Sequence, residues 1–215
     1  MNYTNVNDTF HRISKEKQNR ILEAALNEFA HYGFSQSNIN KIADQAHVSV
    51  GSIYKYFNDK QNLYLTIINY TVETLKEILN QIIDENEDLF ITIEKIILAI
   101  QSYSKSKVNF TKLYNEMTTE NNSELAWKTA ADVEGVTAKL YASLIEKAQH
   151  QGVVKRDLDP RYFAFFIDNL FMLLQFSYSC DYYKERLKMF IGENAFEDDT
   201  LLRNQLIKFI RGALC

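Results

Sequence analysis

Proline occurs once in the chain, at Pro160, and glycine only six times. Punctuation this sparse argues against a succession of strands and tight turns, and against glycine-rich phosphate loops. The two cysteines, Cys180 and Cys215, form no metal or redox spacing. The four histidines, His11, His31, His47 and His150, share no ligand spacing either, so no metal site is expected. No apolar run reaches the roughly 18 residues of a membrane span, since Asp168 and Gln175 interrupt the best candidate. The opening MNYTNVNDTFHRISKEKQ lacks the apolar core of a secretory signal. Also missing are a nucleophile elbow, a zinc-binding helix motif and a cysteine–histidine cluster, and with them the usual signatures of an enzyme. These absences point to a non-catalytic protein of a reducing cytoplasm, with no cofactor.

What the chain does contain is ordinary for a globular protein: 46% of its 215 residues are hydrophobic and 24% are charged, enough to bury a core. Charge is unevenly spread. Residues 1–60 carry seven Lys/Arg against six Asp/Glu, whereas residues 61–215 carry seventeen against twenty-two. A small nucleic-acid-binding head on an acidic body is compatible with that asymmetry.

Apolar spacing is helical nearly throughout, and about nine helices are expected. A first helix starts after Ser14 and carries Ile21, Leu22, Ala25, Leu26 and Phe29. Gly33 is placed to end it, because glycine adopts the left-handed conformation freely. Ser37 or Asn38 can cap a second helix at 38–45, and a third spans 49–56. Asn58 or Asp59 then caps a long fourth helix that runs to the polar DENED stretch at 84–88, itself expected to be a solvated loop. Further helices are expected around residues 90–103, 110–117 and 124–149, the last stopped by Gly152. Asp159 and Pro160 then read as N-cap and first position of an eighth helix, Pro160 to about Tyr182. That helix is apolar on nearly all sides, the pattern of a buried helix. A ninth covers about Asp199 to Ala213. The expected fold is all-α.

Two short helices joined by about three residues, behind a preceding helix, make a helix-turn-helix, whose second helix enters the DNA major groove by its N-terminal residues. Gly51 inside that second helix costs roughly 1 kcal/mol relative to alanine. Together with Ser49, Val50 and Ser52 it offers a low-relief face on which backbone can approach base edges and phosphates. Ile53 and Phe57 point the other way, toward Phe29, Ile42 and Leu63.

The stretch RILEAALNEFAHYGFSQSNINKIADQAHVSVGSIYKYFNDKQNL, residues 20–63, resembles the N-terminal DNA-binding domain of TetR-family transcriptional repressors. The resemblance covers residues 14–64 by motif and the remainder by architecture alone. It implies a helix-turn-helix domain at 1–60 and a ligand-binding and dimerisation domain at 61–215. It further implies that Ser37 and Asn38 hold phosphates, and that Val50, Ser52 and Lys55 face the bases, Lys55 as the best guanine contact. Tyr54, Tyr56 and Lys60 are implied as further phosphate contacts. Packing for the two tyrosines and plain solvation for Lys55 are the competing readings. One departure stands out: the turn position that the family fills with glycine is His47, where positive φ is expected.

In such proteins the body encloses an effector, and a homodimer sets its recognition helices roughly 34–36 Å apart. An effector that prefers another spacing releases the DNA by population shift. The aromatic richness of the body suits a small apolar or aromatic molecule. Candidate lining residues are Tyr103, Phe110, Tyr114, Trp127, Phe166 and Asp168, with core packing as the competing reading for Trp127. Asp168 is either an anchor for a cationic ligand or a hydrogen-bonded structural acid; its likeness, with Asn169, to a family Asp-Gly pair favours the latter. The eighth and ninth helices are implied as the dimer seam, with Leu202, Leu206, Phe209, Ile210 and Ala213 as the ninth helix's stripe. The function implied is a ligand-responsive, operator-binding repressor. An activator, or a ligand-binding module with impaired DNA binding, are the alternatives.

Overall fold

The computed structural model describes residues 5–84, 87–118 and 123–215, the side chains of 123–128 excepted. Every regular element among the described residues is an α-helix. In chain order they are α1 (Asp8–His11), α2 (Lys15–Gln36), α3 (Ile39–Gln45), α4 (Val50–Phe57), α5 (Lys60–Ile82), α6 (Leu89–Ser106), α7 (Val108–Thr118), α8 (Ser123–His150), α9 (Pro160–Ser179), α10 (Asp181–Ile191) and α11 (Asp199–Leu214). No single helix among them is long and apolar enough to cross a membrane; α9 and α10 reach the required composition only together, across a bend of 105°.

Short polar side chains start most of these helices by satisfying first-turn N–H groups that lack intrahelical partners. Ser14 accepts from Lys17 N–H, Asn38 from Asn40 N–H and Ser49 from Ser52 N–H. The Asp59 carboxylate accepts from Asn62 N–H at 2.7 Å as α5 begins. Asp88 takes Phe90 N–H at 2.8 Å, so part of the expected solvated loop is a helix cap. Asp159 takes Arg161 N–H ahead of Pro160, and its carboxyl is held down to about 2 by the hydrogen bonds from Arg161. Gly33 breaks α2 at φ 64° and ψ 179°. A side chain there is strained by the left-handed φ, and Glu116 Oε2, 2.9 Å from where a Cβ would lie, would have to swing aside.

Two elements depart from the expected nine helices. A four-residue helix, α1, precedes Ser14 and buries Phe10 completely. The apolar eighth helix stops at Ser179, whose buried hydroxyl donates to the Ser104 carbonyl at 2.7 Å; Cys180 is extended, and α10 starts afresh.

The chain forms two compact units, Met1–Leu75 with Lys112–Val133, and Lys76–Thr111 with Glu134–Cys215. In the first, α2 packs on α3, α3 on α4 and α1 on α4, around Phe10, Ile21, Leu22, Phe29, Ile42, Ile53, Phe57 and Leu63, all buried. Burying one such side chain is worth about 1.5–3 kcal/mol. In the second, α9 packs on α6 and α10, and α11 on α6. A polar tie joins three of these helices. Gln101 Nε2 donates to Tyr178 Oη at 3.0 Å and to the Asp199 carbonyl at 2.9 Å, and the Tyr178 hydroxyl donates to Asp199 Oδ1 at 2.8 Å. Burial, then the hydrogen bond to Asp199, pushes the Tyr178 hydroxyl pKa up.

α9 is not buried on all sides within one chain. Tyr162, Phe165, Phe166 and Leu173, at positions i, i+3, i+4 and i+11, stay exposed, Phe165 to 64%. The expected stripe of the last helix divides as well: Ile210 is buried with Leu214, while Phe209 is 64% exposed.

Candidate nucleic-acid interface

The connection between α3 and α4 closes through three backbone bonds: Ala46 N–H to Ile42 O at 3.0 Å, His47 N–H to Asp44 O at 3.0 Å, and Val48 N–H to Ala43 O at 2.9 Å. His47 has φ 53°. The turn keeps its left-handed shape with histidine in it, at the strain cost of a non-glycine residue there.

α4 buries Ile53, Tyr56 and Phe57, spaced i, i+3 and i+4. That anchoring turns the other face outward: Ser49, Gly51, Tyr54 and Lys55 are exposed, and Val50 and Ser52 are half-buried. Ser49 Oγ accepts from Ser52 N–H at 3.1 Å and lies 2.9 Å from Ser52 Oγ. A Cβ at Gly51 would meet nothing closer than Ser49 Oγ at 3.9 Å, and its φ is not left-handed. Among the described residues, no atom requires glycine there.

Placement separates the other DNA candidates. Tyr56 is 6% exposed, with its ring 5.8 Å from that of Phe10 and the Lys17 ammonium 5.7 Å from its centre. Its ring packs inward, the competing reading given above for this tyrosine. The Ser37 hydroxyl is also committed inward, donating to the Phe34 carbonyl at 2.8 Å. Asn38 caps α3, and its own N–H donates to Glu28 Oε1 at 2.9 Å. Lys60 Nζ donates to the Ser37 carbonyl at 2.6 Å and the Ser35 carbonyl at 3.3 Å, and stands 5.1 Å above the Phe34 ring. Desolvation lowers the Lys60 pKa, against the opposing pull of the Glu28 charge. Ser37, Asn38 and Lys60 therefore frame the turn that starts α3.

Sequence reasoning missed four residues here. Glu28, 2% exposed, aligns Asn38; its signal was a carboxylate on the apolar face beside Ala25 and Phe29. Asn7, Thr9 and Phe10 belong to the segment around α1, which docks on α4, and Asn7 and Thr9 bond its last turn. A polar asparagine before a four-residue helix carries no periodic signal.

The effector candidates fall in both compact units. Tyr114 and the backbone of Trp127 fall in the first unit, and Tyr103, Phe110, Phe166 and Asp168 in the second. The Trp127 side chain lies outside the described residues. Tyr103 and Phe166 are exposed in this chain. Asp168 is half-buried on α9, where burial raises its carboxyl pKa and a hydrogen bond from Thr137 of α8 opposes that rise. Burial, with the Asp168 charge adding to it, also raises the pKa of neighbouring Tyr141, whose ring packs edge-on to Phe171 at 5.6 Å. These contacts describe a structural tie between α8 and α9.

Residues 21–67 match the family described as bacterial regulatory proteins, tetR family. The uncharacterized HTH-type transcriptional regulator YhgD of Bacillus subtilis (strain 168) is 24% identical over 170 residues, 77% of this chain and 86% of that one. The probable acrEF/envCD operon repressor of Escherichia coli (strain K12) is 26% identical over 156 residues, 70% of each chain. Among solved structures, the regulator FadR of Bacillus subtilis in complex with stearoyl-CoA superposes with a TM-score of 0.69 at 21% identity, covering 91% of this chain and 98% of that one.

Proposed function

Because the chain belongs to the TetR family of bacterial regulatory proteins, a family of DNA-binding transcriptional regulators rather than enzymes, we propose that it acts as a dimeric repressor on an inverted-repeat operator and is released by a small apolar or aromatic effector. Residues 1–60 serve as the DNA-binding domain and residues 61–215 as the effector-binding and dimerisation domain. A cytoplasmic site of action follows from that work.

The single observation that carries the reading is the outward face of α4. A glycine with no internal reason to be glycine sits between two small hydroxyl residues, and exposed Tyr54 and Lys55 follow. Bare backbone at that place is useful to an external partner that must come close. Val50, Ser52 and Lys55 are the base-reading residues, and Tyr54 and the backbone around Ser49 reach phosphates. Lys60 and Asn38 hold the start of α3 so that its first turn presents to the duplex.

Two observations support the rest. The exposed apolar stripe of α9, with Leu201 and Phe209 of α11 also exposed, fits a second copy of the chain through these two helices. α5 runs from Lys60 to Ile82 with no glycine or proline, so a displacement at one end passes to the other as through a rod. An effector that favours one of two spacings between the paired heads then shifts DNA affinity by population. The acyl-chain ligand of the FadR structure supports an apolar effector class.

Selection of bound duplexes from a random DNA pool, at roughly physiological salt, tests the reading. An inverted repeat bound at about 10⁻⁸ M or tighter is expected. Lys55→Ala is expected to change the preferred base at one position per half-site. Failure of the folded protein to enrich any duplex overturns the proposal.

A further inference from the structure

α4 has eight residues, too few to hold a helix alone in water, so its pose comes from what it is bonded to. A helix leaves its last four carbonyls without intrahelical partners. Those of α4 belong to Tyr54, Lys55, Tyr56 and Phe57, and each finds a donor. Asn58 N–H reaches Tyr54 O and Asp59 N–H reaches Phe57 O, both at 2.8 Å. The middle pair is satisfied from far upstream. Asn7 N–H donates to Tyr56 O at 2.8 Å, and Asn7 Nδ2 donates to Lys55 O at 2.8 Å across a separation of 48 residues. Thr9 Oγ1 adds a second bond to Lys55 O at 3.3 Å. Asn7 Nδ2 also reaches Asn58 Oδ1 at 2.8 Å, steadying the residue that leaves the helix at φ 65°.

The upstream segment is itself fastened at several points. The Asn5 carbonyl accepts from Thr66 Oγ1 at 3.4 Å, and the Phe10 carbonyl from buried Gln18 Nε2 at 2.9 Å. The Phe10 ring, fully buried, lies 4.9 Å from that of Phe57 and 5.8 Å from that of Tyr56. The matched family segment starts at residue 21, so residues 5–13 lie outside it.

We infer that residues 5–13 form a strap that positions the recognition helix, with Asn7 as the positioning residue for Lys55 through the Lys55 and Tyr56 carbonyls. This rests on the DNA-reading role of α4. The strap adds no base contact of its own; it fixes the angle at which the C-terminal half of α4 meets the groove. Removing it therefore blurs base preference at the position that Lys55 reads and leaves the number of phosphate contacts unchanged.

The test uses the full chain as wild type, Asn7→Ala and Thr9→Ala, at a temperature where circular dichroism shows each folded. Amide hydrogen exchange without DNA is expected to speed up by about tenfold at residues 55–58 in Asn7→Ala, and not across the rest of α2 and α3. Affinity for the duplex selected by the wild type is expected to fall about tenfold, with relaxed preference at the Lys55 position and an unaltered salt slope. Thr9→Ala moves both readouts the same way by less. Unchanged exchange in α4 together with unchanged affinity and preference in folded Asn7→Ala overturns the strap. If Asn7→Ala does not fold, Thr9→Ala decides by the same comparison. A wild type that selects no duplex sinks the DNA-binding reading, while the exchange measurement still decides whether the strap holds α4.

Discussion

At the scale of single residues, Gly51 separates folding from function. In a helix interior, with only Ser49 Oγ near a new Cβ, alanine recovers backbone entropy that glycine loses. Gly51→Ala is expected to raise stability by about 0.5–1 kcal/mol, a rise of several degrees in melting temperature for the unit. The same methyl group stands between the backbone and the duplex, so operator affinity is expected to fall by about tenfold or more. Thermal melts and titration of the selected duplex read the two effects, and a variant that gains both sinks the close-approach role. Glu28 behaves in the opposite sense, because it acts inside the fold. Glu28→Ala removes the carboxylate that accepts from the part-buried Asn38 N–H at 2.9 Å, and the loss of this charge-assisted hydrogen bond is expected to cost about 1.5–3 kcal/mol in denaturant unfolding. Glu28→Gln keeps an acceptor in place and is expected to cost less than half as much.

Elements were legible in the sequence where a cap and a period coincide. Ser14, Asn38, Asp159 with Pro160, and Gly33 each mark a boundary by local chemistry, and each boundary stands in the structure. The left-handed turn at His47 was legible for the same reason: the position, not the residue, demands positive φ. α1 and the break at Cys180 were not, since one depends on Phe10 finding the distant Phe57 and the other on Ser179 finding the distant Ser104. Tyr56 lies on the i, i+3, i+4 face of α4 with Ile53 and Phe57, so its packing was legible as the competing reading, whereas the Phe10 ring that it meets was not. Of the candidate interface, the α4 face was readable and its supports, Glu28 and Asn7, were not. Between α8 and α9 the tie at Asp168 makes a pH prediction. Burial raises this carboxyl's folded pKa, so the protonated form is favoured by folding. The contribution is fully present below the ordinary carboxylate pKa of about 4 and is lost as pH rises through the folded value. Asp168→Asn, which keeps the shape and a hydrogen-bonding oxygen for Thr137, is expected to be more stable than wild type at neutral pH and no more stable at pH 3. Denaturant midpoints at the two pH values check this; a wild type more stable than the variant at neutral pH contradicts the burial penalty on the ionised carboxylate.

At the scale of the whole molecule, the proposed function makes the exposed aromatic stripe the surface on which use of an inverted repeat depends. Tyr162, Phe165, Phe166 and Leu173 lie along one side of α9, and Leu201 and Phe209 are exposed on α11. Covering the part of these aromatic side chains that is still exposed removes apolar surface from water at about 25 cal/mol per Å², which works against the entropic cost of association. Gly212 adds room, for nothing lies within 4 Å of a Cβ placed there. A dimer of this kind has two consequences. Its melting temperature rises with protein concentration, because association is coupled to folding. It also binds two half-sites at once, so the second head engages at high effective concentration. Phe165→Glu places a charge in the seam and is expected to give a folded monomer by sedimentation, with a melting temperature independent of concentration. Its affinity for the selected inverted repeat is expected to fall about 100-fold or more, toward that for a single half-site. A Phe165→Glu protein that stays dimeric moves the seam elsewhere, and the exposed Tyr182, Met189 and Phe190 of α10 become the surface to substitute next. A variant that is monomeric yet binds the inverted repeat as tightly as wild type removes the dimer from the mechanism, leaving each head to read its half-site alone.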